Sequence, residues 1–170
     1  MAYIKVYKSW LPYGQMKDRR GFISRRYGSG HTGVDSVGNQ YGNPVCAVTD
    51  GTVTAVRQSA TLGNIVEYEN AVVKIAHYHL AKGMVKPGDH VQAGETVLAI
   101  EGGTGSLATG KHLHTSMWIH GKEVDPEPYL CGEKTLPGTE EILKTEIEQL
   151  KTALAKANAK LDAVRKAVAS

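Results

Sequence analysis

Between Pro44 and Trp118 apolar and polar positions alternate in short valine-rich runs broken by glycine, at residues 45–48, 51–56, 65–68, 72–80, 97–100 and 112–118. A period of two is the spacing of side chains on one face of a strand, so these runs predict β-strands. Asp50-Gly51, Pro87-Gly88-Asp89, Ala93-Gly94-Glu95 and Gly102-Gly103-Thr104-Gly105 put glycine where a tight turn needs it. The expected fold is mainly β, a compact antiparallel sheet arranged as a sandwich or half-barrel, followed by a C-terminal α-helix.

The helix is predicted because the pattern changes after Pro137-Gly138, where β-branched alternation gives way to a run rich in Ala, Glu, Lys and Leu, with Thr139 as its expected cap. Leu143, Ile147, Leu150, Leu154, Ala157, Leu161, Val164 and Val168 are separated alternately by four and three residues, the spacing of a heptad seam. With Ile147 at a and Leu150 at d, Glu146 falls at g and Lys151 at e, which permits ion pairs between parallel chains. A homo-oligomer through this helix, a coiled coil, is therefore expected, although Ala157 and Asn158 weaken its middle. A single helix docked on the β-domain would call for a wider apolar stripe. The expected division is an N-terminal segment 1–27, a β-domain 28–131, a linker 132–138 and the helix 139–170.

Composition narrows the function classes. A chain of 170 residues accommodates one compact domain and an appendage. With 41% hydrophobic and 22% charged residues and a net charge of +3, it reads as a globular protein. Basic residues gather only at Lys17, Arg19, Arg20, Arg25 and Arg26, a cluster that could face an anionic polymer such as a cell wall, but without aromatic interleaving it reads first as a solvated loop and no nucleic-acid partner is expected. The stretch from Met1 to Lys8 lacks the apolar core of a signal peptide, and no apolar run has membrane length, so neither secretion by that route nor a membrane span is expected. Cys46 and Cys131 lack a C-x-x-C spacing and read as buried thiols.

The chemistry lies in three histidine motifs. His31-Thr32-Gly33-Val34-Asp35 places an imidazole and a carboxylate four positions apart. His112-Leu113-His114 in a strand puts both rings on one face. His77-Tyr78-His79-Leu80 closes another predicted strand, and the same period places His77 with His79. A mixed histidine and aspartate set suits catalytic zinc, which takes three protein ligands and keeps a position for water, while spare histidines can move protons. Structural zinc would call for cysteine partners that are absent from these motifs.

The sequence resembles the lysostaphin and LytM-type zinc endopeptidases, which cut peptidoglycan, from about Gly28 to Leu130. The resemblance rests on Gly30-His31-Thr32-Gly33-Val34-Asp35, Tyr41-Gly42-Asn43-Pro44-Val45, Asp50-Gly51-Thr52-Val53, Gly63-Asn64, Tyr78-His79-Leu80, Val85-Lys86-Pro87-Gly88-Asp89-His90-Val91-Gln92-Ala93-Gly94, Gly103-Thr104-Gly105 and Thr109-Gly110-Lys111-His112-Leu113-His114, in the family's order. It implies one Zn2+ per chain held by His31, Asp35 and His114, with His79 and His112 as the catalytic pair beside it. It also implies hydrolysis of amide bonds in peptidoglycan stem or cross-bridge peptides through a metal-activated water. The family commonly has an aromatic residue where this chain has Thr115, and the stretch from Asn64 to His79 is compact, so the cleft wall is expected to differ. Tyr27 is a further candidate for a hydrogen bond to the oxyanion.

Two rival readings remain. Residues 85–94 also resemble the turn repeats of biotinyl, lipoyl and phosphocarrier domains, but a swinging-arm carrier needs an exposed lysine at a hairpin tip and a phosphocarrier a histidine pair without the His31 and Asp35 motif, and the chain favours neither. A catalytically inactive peptidase fold, serving as a structural or wall-binding protein, is the second, and such forms usually lose ligands. A wall hydrolase without a signal peptide suggests a bacteriophage endolysin or virion-associated lysin, made in the host cytoplasm and released to the wall or carried in the virion.

Overall fold

The strongest alternation in the sequence lies in the middle strands of one sheet. The structure is a computed structural model that describes residues 23–36, 44–130, 133–137 and 139–168. The readings made for Lys17, Arg19, Arg20, Tyr41-Gly42-Asn43 and Cys131 fall outside the described residues.

In chain order the strands are β1 (Ile23–Arg25), β2 (Val34–Ser36), β3 (Pro44–Cys46), β4 (Gly51–Ser59), β5 (Gly63–Glu69), β6 (Val73–Leu80), β7 (Lys82–Gly83), β8 (His90–Val91), β9 (Val97–Ile100), β10 (Leu113–Ile119) and β11 (Lys122–Val124). A short helix α1 (Glu127–Leu130) follows. The large sheet runs β1-β2-β10-β6-β5-β4-β8, with β11 also on β10, and a small sheet runs β3-β9-β7. All pairings are antiparallel. The molecule is thus mainly β, with two antiparallel sheets.

One face of the large sheet is the core side. Leu113, Thr115 and Met117 on β10, Val73, Ile75 and His77 on β6, and Val66 and Tyr68 on β5 are all buried there. The backbone N–H of Val48 donates to the Tyr68 hydroxyl at 2.8 Å, which satisfies the only polar atom of that buried ring. The other face carries His114, Ser116 and Trp118, whose cross-strand partners on β6 are Tyr78, Ala76 and Lys74.

Strands β1, β2, β7, β8 and β11 have no counterpart among the predicted runs. Each has two or three residues, too few to show a period; β2, β7, β8 and β11 take their hydrogen bonds from longer neighbours, and β1 pairs with the equally short β2. The expected placement of His77 beside His79 is corrected by the structure. His79 has φ +60°, and the pairing of β5 with β6 shifts register between Asn64 and Val66. That irregularity breaks the alternation. His77 stays in the core, its ring stacked on Tyr68, while Tyr78 and His79 both come against His114.

Helix α2 (Thr139–Val168) forms a separate unit. Along its seam Ile147, Leu150, Leu154, Leu161 and Val164 are 48–70% exposed. Lys151 pairs with Glu148 on the same helix at 2.7 Å. No helix among the described residues is long and apolar enough to cross a membrane.

Candidate metal centre and catalytic pair

The turn before β2 delivers His31. Gly28 and His31 exchange backbone hydrogen bonds of 3.0 Å, closing a loop that turns through Ser29 and Gly30. Gly30 has φ +79°, a conformation that glycine adopts without a Cβ clash. Three residues on, Gly33 must lack a side chain for another reason: a Cβ there would lie 2.2 Å from the Thr115 carbonyl oxygen and 2.8 Å from His114 Nε2. Only a bare backbone lets the loop lie this close to β10.

Asp35 then follows from register. It pairs directly with His114 across β2 and β10, so the two side chains leave the sheet on one face. Asp35 Oδ1 is 2.8 Å from His114 Nδ1 and 3.1 Å from His31 Nε2, and the two ring nitrogens are 3.0 Å apart. The three residues that the resemblance nominates as ligands therefore converge, although 79 and 83 positions of chain separate His114 from the other two.

Outer partners set which ring atoms face inward. His31 Nδ1–H donates to the Arg26 carbonyl at 2.9 Å, so its Nε2 lone pair points at the cluster. His114 Nε2 pairs with Ser116 Oγ at 3.1 Å, so its Nδ1 does the same. The Arg26 guanidinium is in turn anchored on the buried carboxylate of Glu127 in α1. That arginine belongs to the basic cluster seen in the sequence, and its charge is engaged in an ion pair.

Two imidazole lone pairs and a carboxylate oxygen facing one another in a buried pocket repel unless a cation lies among them. The donor set therefore fits a divalent metal of zinc's type. Burial alone would raise the Asp35 pKa, but a hydrogen bond from His114 Nδ1 when that atom carries the proton in place of a metal, together with the nearby His112, His114 and His31 rings, outweighs it and holds the carboxyl below its ordinary range.

His79 and His112 stand beside this cluster with ring centroids 4.7 Å apart. His79 Nδ1–H donates to the Thr104 carbonyl at 2.9 Å, and His112 Nδ1–H to the Gly110 carbonyl at 2.9 Å. Each ring thus keeps Nε2 for the site, and His112 Nε2 is 3.6 Å from Asp35 Oδ1. Burial, above all, lowers the His79 pKa, with the neighbouring His112 and His114 rings adding to it against the Thr104 hydrogen bond and Asp35. The ring is neutral at pH 7 and can accept a proton.

Tyr27 is turned elsewhere. Its hydroxyl donates to Glu123 on β11 at 3.2 Å, a contact that the four-residue spacing to His31 does not reveal. The supporting residues Arg26, Ser116, Thr104 and Glu127 were not identified as such from the sequence. Ser116 follows His114 by two positions and Thr104 lies in the quoted glycine-threonine-glycine motif, but only the folded chain gives either a partner.

Residues 29–126 match the family model described as Peptidase family M23. Over 96 residues the chain is 38% identical to the peptidoglycan DD-endopeptidase ShyB of Vibrio cholerae, covering 56% of this chain and 22% of that protein. It is 34% identical over 111 residues to the glycyl-glycine endopeptidase ALE-1 of Staphylococcus capitis, covering 61% and 30%. The chain spans 20 to 26% of the length of the first curated relatives it matches. Among solved structures, a zinc-containing peptidase from Vibrio cholerae superposes with a TM-score of 0.57 at 33% identity, covering 64% of this chain and 36% of that one. The catalytic domain of lysostaphin from Staphylococcus simulans superposes with a TM-score of 0.55 at 30% identity, covering 65% and 88%. With more than half of its length matched by that one model, the chain belongs to peptidase family M23.

Proposed function

We propose that this chain is a zinc-dependent endopeptidase that hydrolyses amide bonds in peptidoglycan stem or cross-bridge peptides. The observation that carries the reading is the convergence of His31 Nε2, Asp35 Oδ1 and His114 Nδ1, with the His79 and His112 pair adjoining it. His31, Asp35 and His114 would hold one Zn2+ per chain. Zinc bound there supplies Lewis acidity toward a carbonyl oxygen and brings the pKa of water toward neutrality.

The chain's own groups do the rest. Neutral His79 takes the proton of the attacking water at Nε2, since its Nδ1 is committed to Thr104. His79 then gives that proton from Nε2 to the leaving amine and ends neutral as it began, while His112, fixed through Nδ1 on Gly110, stabilises the oxyanion by donating from Nε2 when that atom carries a proton, which it keeps. Peptidoglycan as substrate is supported by the likeness to ShyB, a peptidoglycan DD-endopeptidase, and ALE-1, a glycyl-glycine endopeptidase. The setting we propose is lysis or wall penetration by a bacteriophage, with the α2 seam joining copies of the chain and so raising avidity for a polymeric wall.

The test is incubation of purified protein with walls of defined cross-link chemistry, with and without a chelator, followed by identification of new amino termini. New termini that vanish with the chelator and return with zinc are expected. Absence of new termini from every wall by zinc-loaded protein overturns the reading.

A further inference from the structure

The sheet face that carries His114 continues past the site into a second group of charged side chains. Glu67 on β5 is buried, its side chain 11% exposed, and its carboxylate takes two cations. Lys74 Nζ lies 2.8 Å from Oε2, and Arg57 donates from Nε at 3.0 Å and from Nη2 to Oε1. Burial alone would raise the Glu67 pKa, but the two cations hold it below the usual carboxylate range, so the carboxylate is ionised.

The arrangement is asymmetric in its exposure. Arg57 and Lys74 keep 49% and 41% of their side chains open to solvent, while the anion that fixes them lies underneath. Lys74 retains N–H donors beyond the one given to Glu67, and Arg57 retains its Nη1 edge. Lys74 also lies over the Trp118 ring at 5.4 Å, which restrains the ammonium further. Two cations are thus held in place with donors to spare, which lowers the entropic cost of binding an anion.

The surroundings have room for a ligand. Lys74 and Trp118 line a cleft of about 430 Å³ together with Glu69, Asn70 and His120. Lys74 pairs with Trp118 across the sheet just as Tyr78 pairs with His114, so the cleft and the metal cluster are four positions apart on the same two strands. At about 3.3 Å per residue that is roughly 13 Å, the span of about four extended peptide residues. Glu69, exposed on β5 opposite Lys74, balances the remaining charge of the cluster, so it is the spare N–H donors of Lys74 and Arg57, rather than net charge, that a carboxylate would meet, and Glu69 disfavours a second one there.

From this geometry we infer that Lys74 and Arg57, held by Glu67 beside Trp118, form a specificity subsite for one free carboxylate on the peptide substrate, about four residues from the bond that is cut. The inference rests on the endopeptidase reading above and adds a substrate preference to it: stems with a free carboxylate are taken in preference to stems in which it is amidated.

The test compares two preparations of one wall type, with free and with amidated stem carboxylates, by KM and kcat. For the wild-type protein, amidation is expected to raise KM about tenfold with kcat little changed, the effect of losing one charge-assisted hydrogen bond. Lys74→Gln is expected to raise KM for the free-carboxylate wall to the amidated value, and Arg57→Gln to do so in part. Equal KM for both walls with the wild-type protein overturns the inference, as does full discrimination by both variants. If neither wall is cut, the endopeptidase reading fails and takes the inference with it; cutting of both without discrimination removes the inference alone.

Discussion

His79 and Thr104 hold each other through two hydrogen bonds: the His79 ring donates from Nδ1 to the Thr104 carbonyl at 2.9 Å, and the Thr104 N–H donates to the His79 carbonyl at 3.2 Å. The His79 N–H donates to Leu62 at 3.0 Å, so a histidine at φ +60° is fixed from both sides. A non-glycine residue at positive φ costs about 1–3 kcal/mol, and its neighbours must over-determine it. Here they also aim a proton acceptor.

The Thr104 hydroxyl donates to the Leu80 carbonyl at 2.7 Å and accepts the Asn64 N–H at 2.9 Å, tying its loop to the β4–β5 hairpin. Thr104→Val is expected to cost about 1–3 kcal/mol of stability through these unpaired groups. It is also expected to lower kcat about tenfold while metal content stays at the wild-type level, because the loop that carries the Thr104 carbonyl, the partner of the His79 ring, loses its anchor on Leu80 and Asn64. Thermal unfolding, elemental analysis and wall-digestion kinetics check it; wild-type kcat in the variant would contradict the positioning role.

Gly33→Ala should separate loop packing from ligand chemistry, since it removes no ligand. The added methyl meets the Thr115 carbonyl and the His114 ring, and overpacking of this kind costs about 1–3 kcal/mol. The loop must retreat and carry His31 and Asp35 with it, so retained metal is expected to drop together with melting temperature. A variant that binds zinc and melts like the wild type would show that the close approach is dispensable.

His77 gives a pH signature. Burial, above all, with the nearby His114 ring adding to it, holds its pKa down at about 3, whereas in the unfolded chain the ring titrates near 6.5. Between those values the unfolded state binds the extra proton, so this histidine's contribution to stability is whole above about pH 6.5 and is lost as the pH falls toward 3. The expected slope is about 1.4 kcal/mol per pH unit. His77→Leu, measured by denaturant unfolding across that window, should flatten the slope by this amount; an unchanged slope would show that His77 does not titrate on unfolding.

The α2 seam is tested by oligomeric state. Leu154→Glu puts a charge in the middle of an apolar row whose side chains are exposed in the single chain. If the seam joins copies, sedimentation should show an oligomer for the wild type and a monomer for the variant. A monomeric wild-type protein at high concentration would remove the coil from the proposal.

The period-two pattern determined the long central strands by itself, because a buried face must be apolar at every second residue: β9 coincides with its predicted run, and β5, β6 and β10 differ from theirs by one or two residues. The changed composition after Pro137 likewise placed the start of α2 at Thr139, since a heptad is also a local repeat. Resemblance to a known family nominated His31, Asp35, His79, His112 and His114, residues that period and composition could only gather into motifs. What the sequence could not contain is register. Whether Asp35 meets His114, whether a bulge turns His79 away from His77, and whether Arg26 holds Glu127 or a polymer depend on pairings between segments far apart in the chain. Those choices are made by the packing of whole strands, and no local pattern of residues records them.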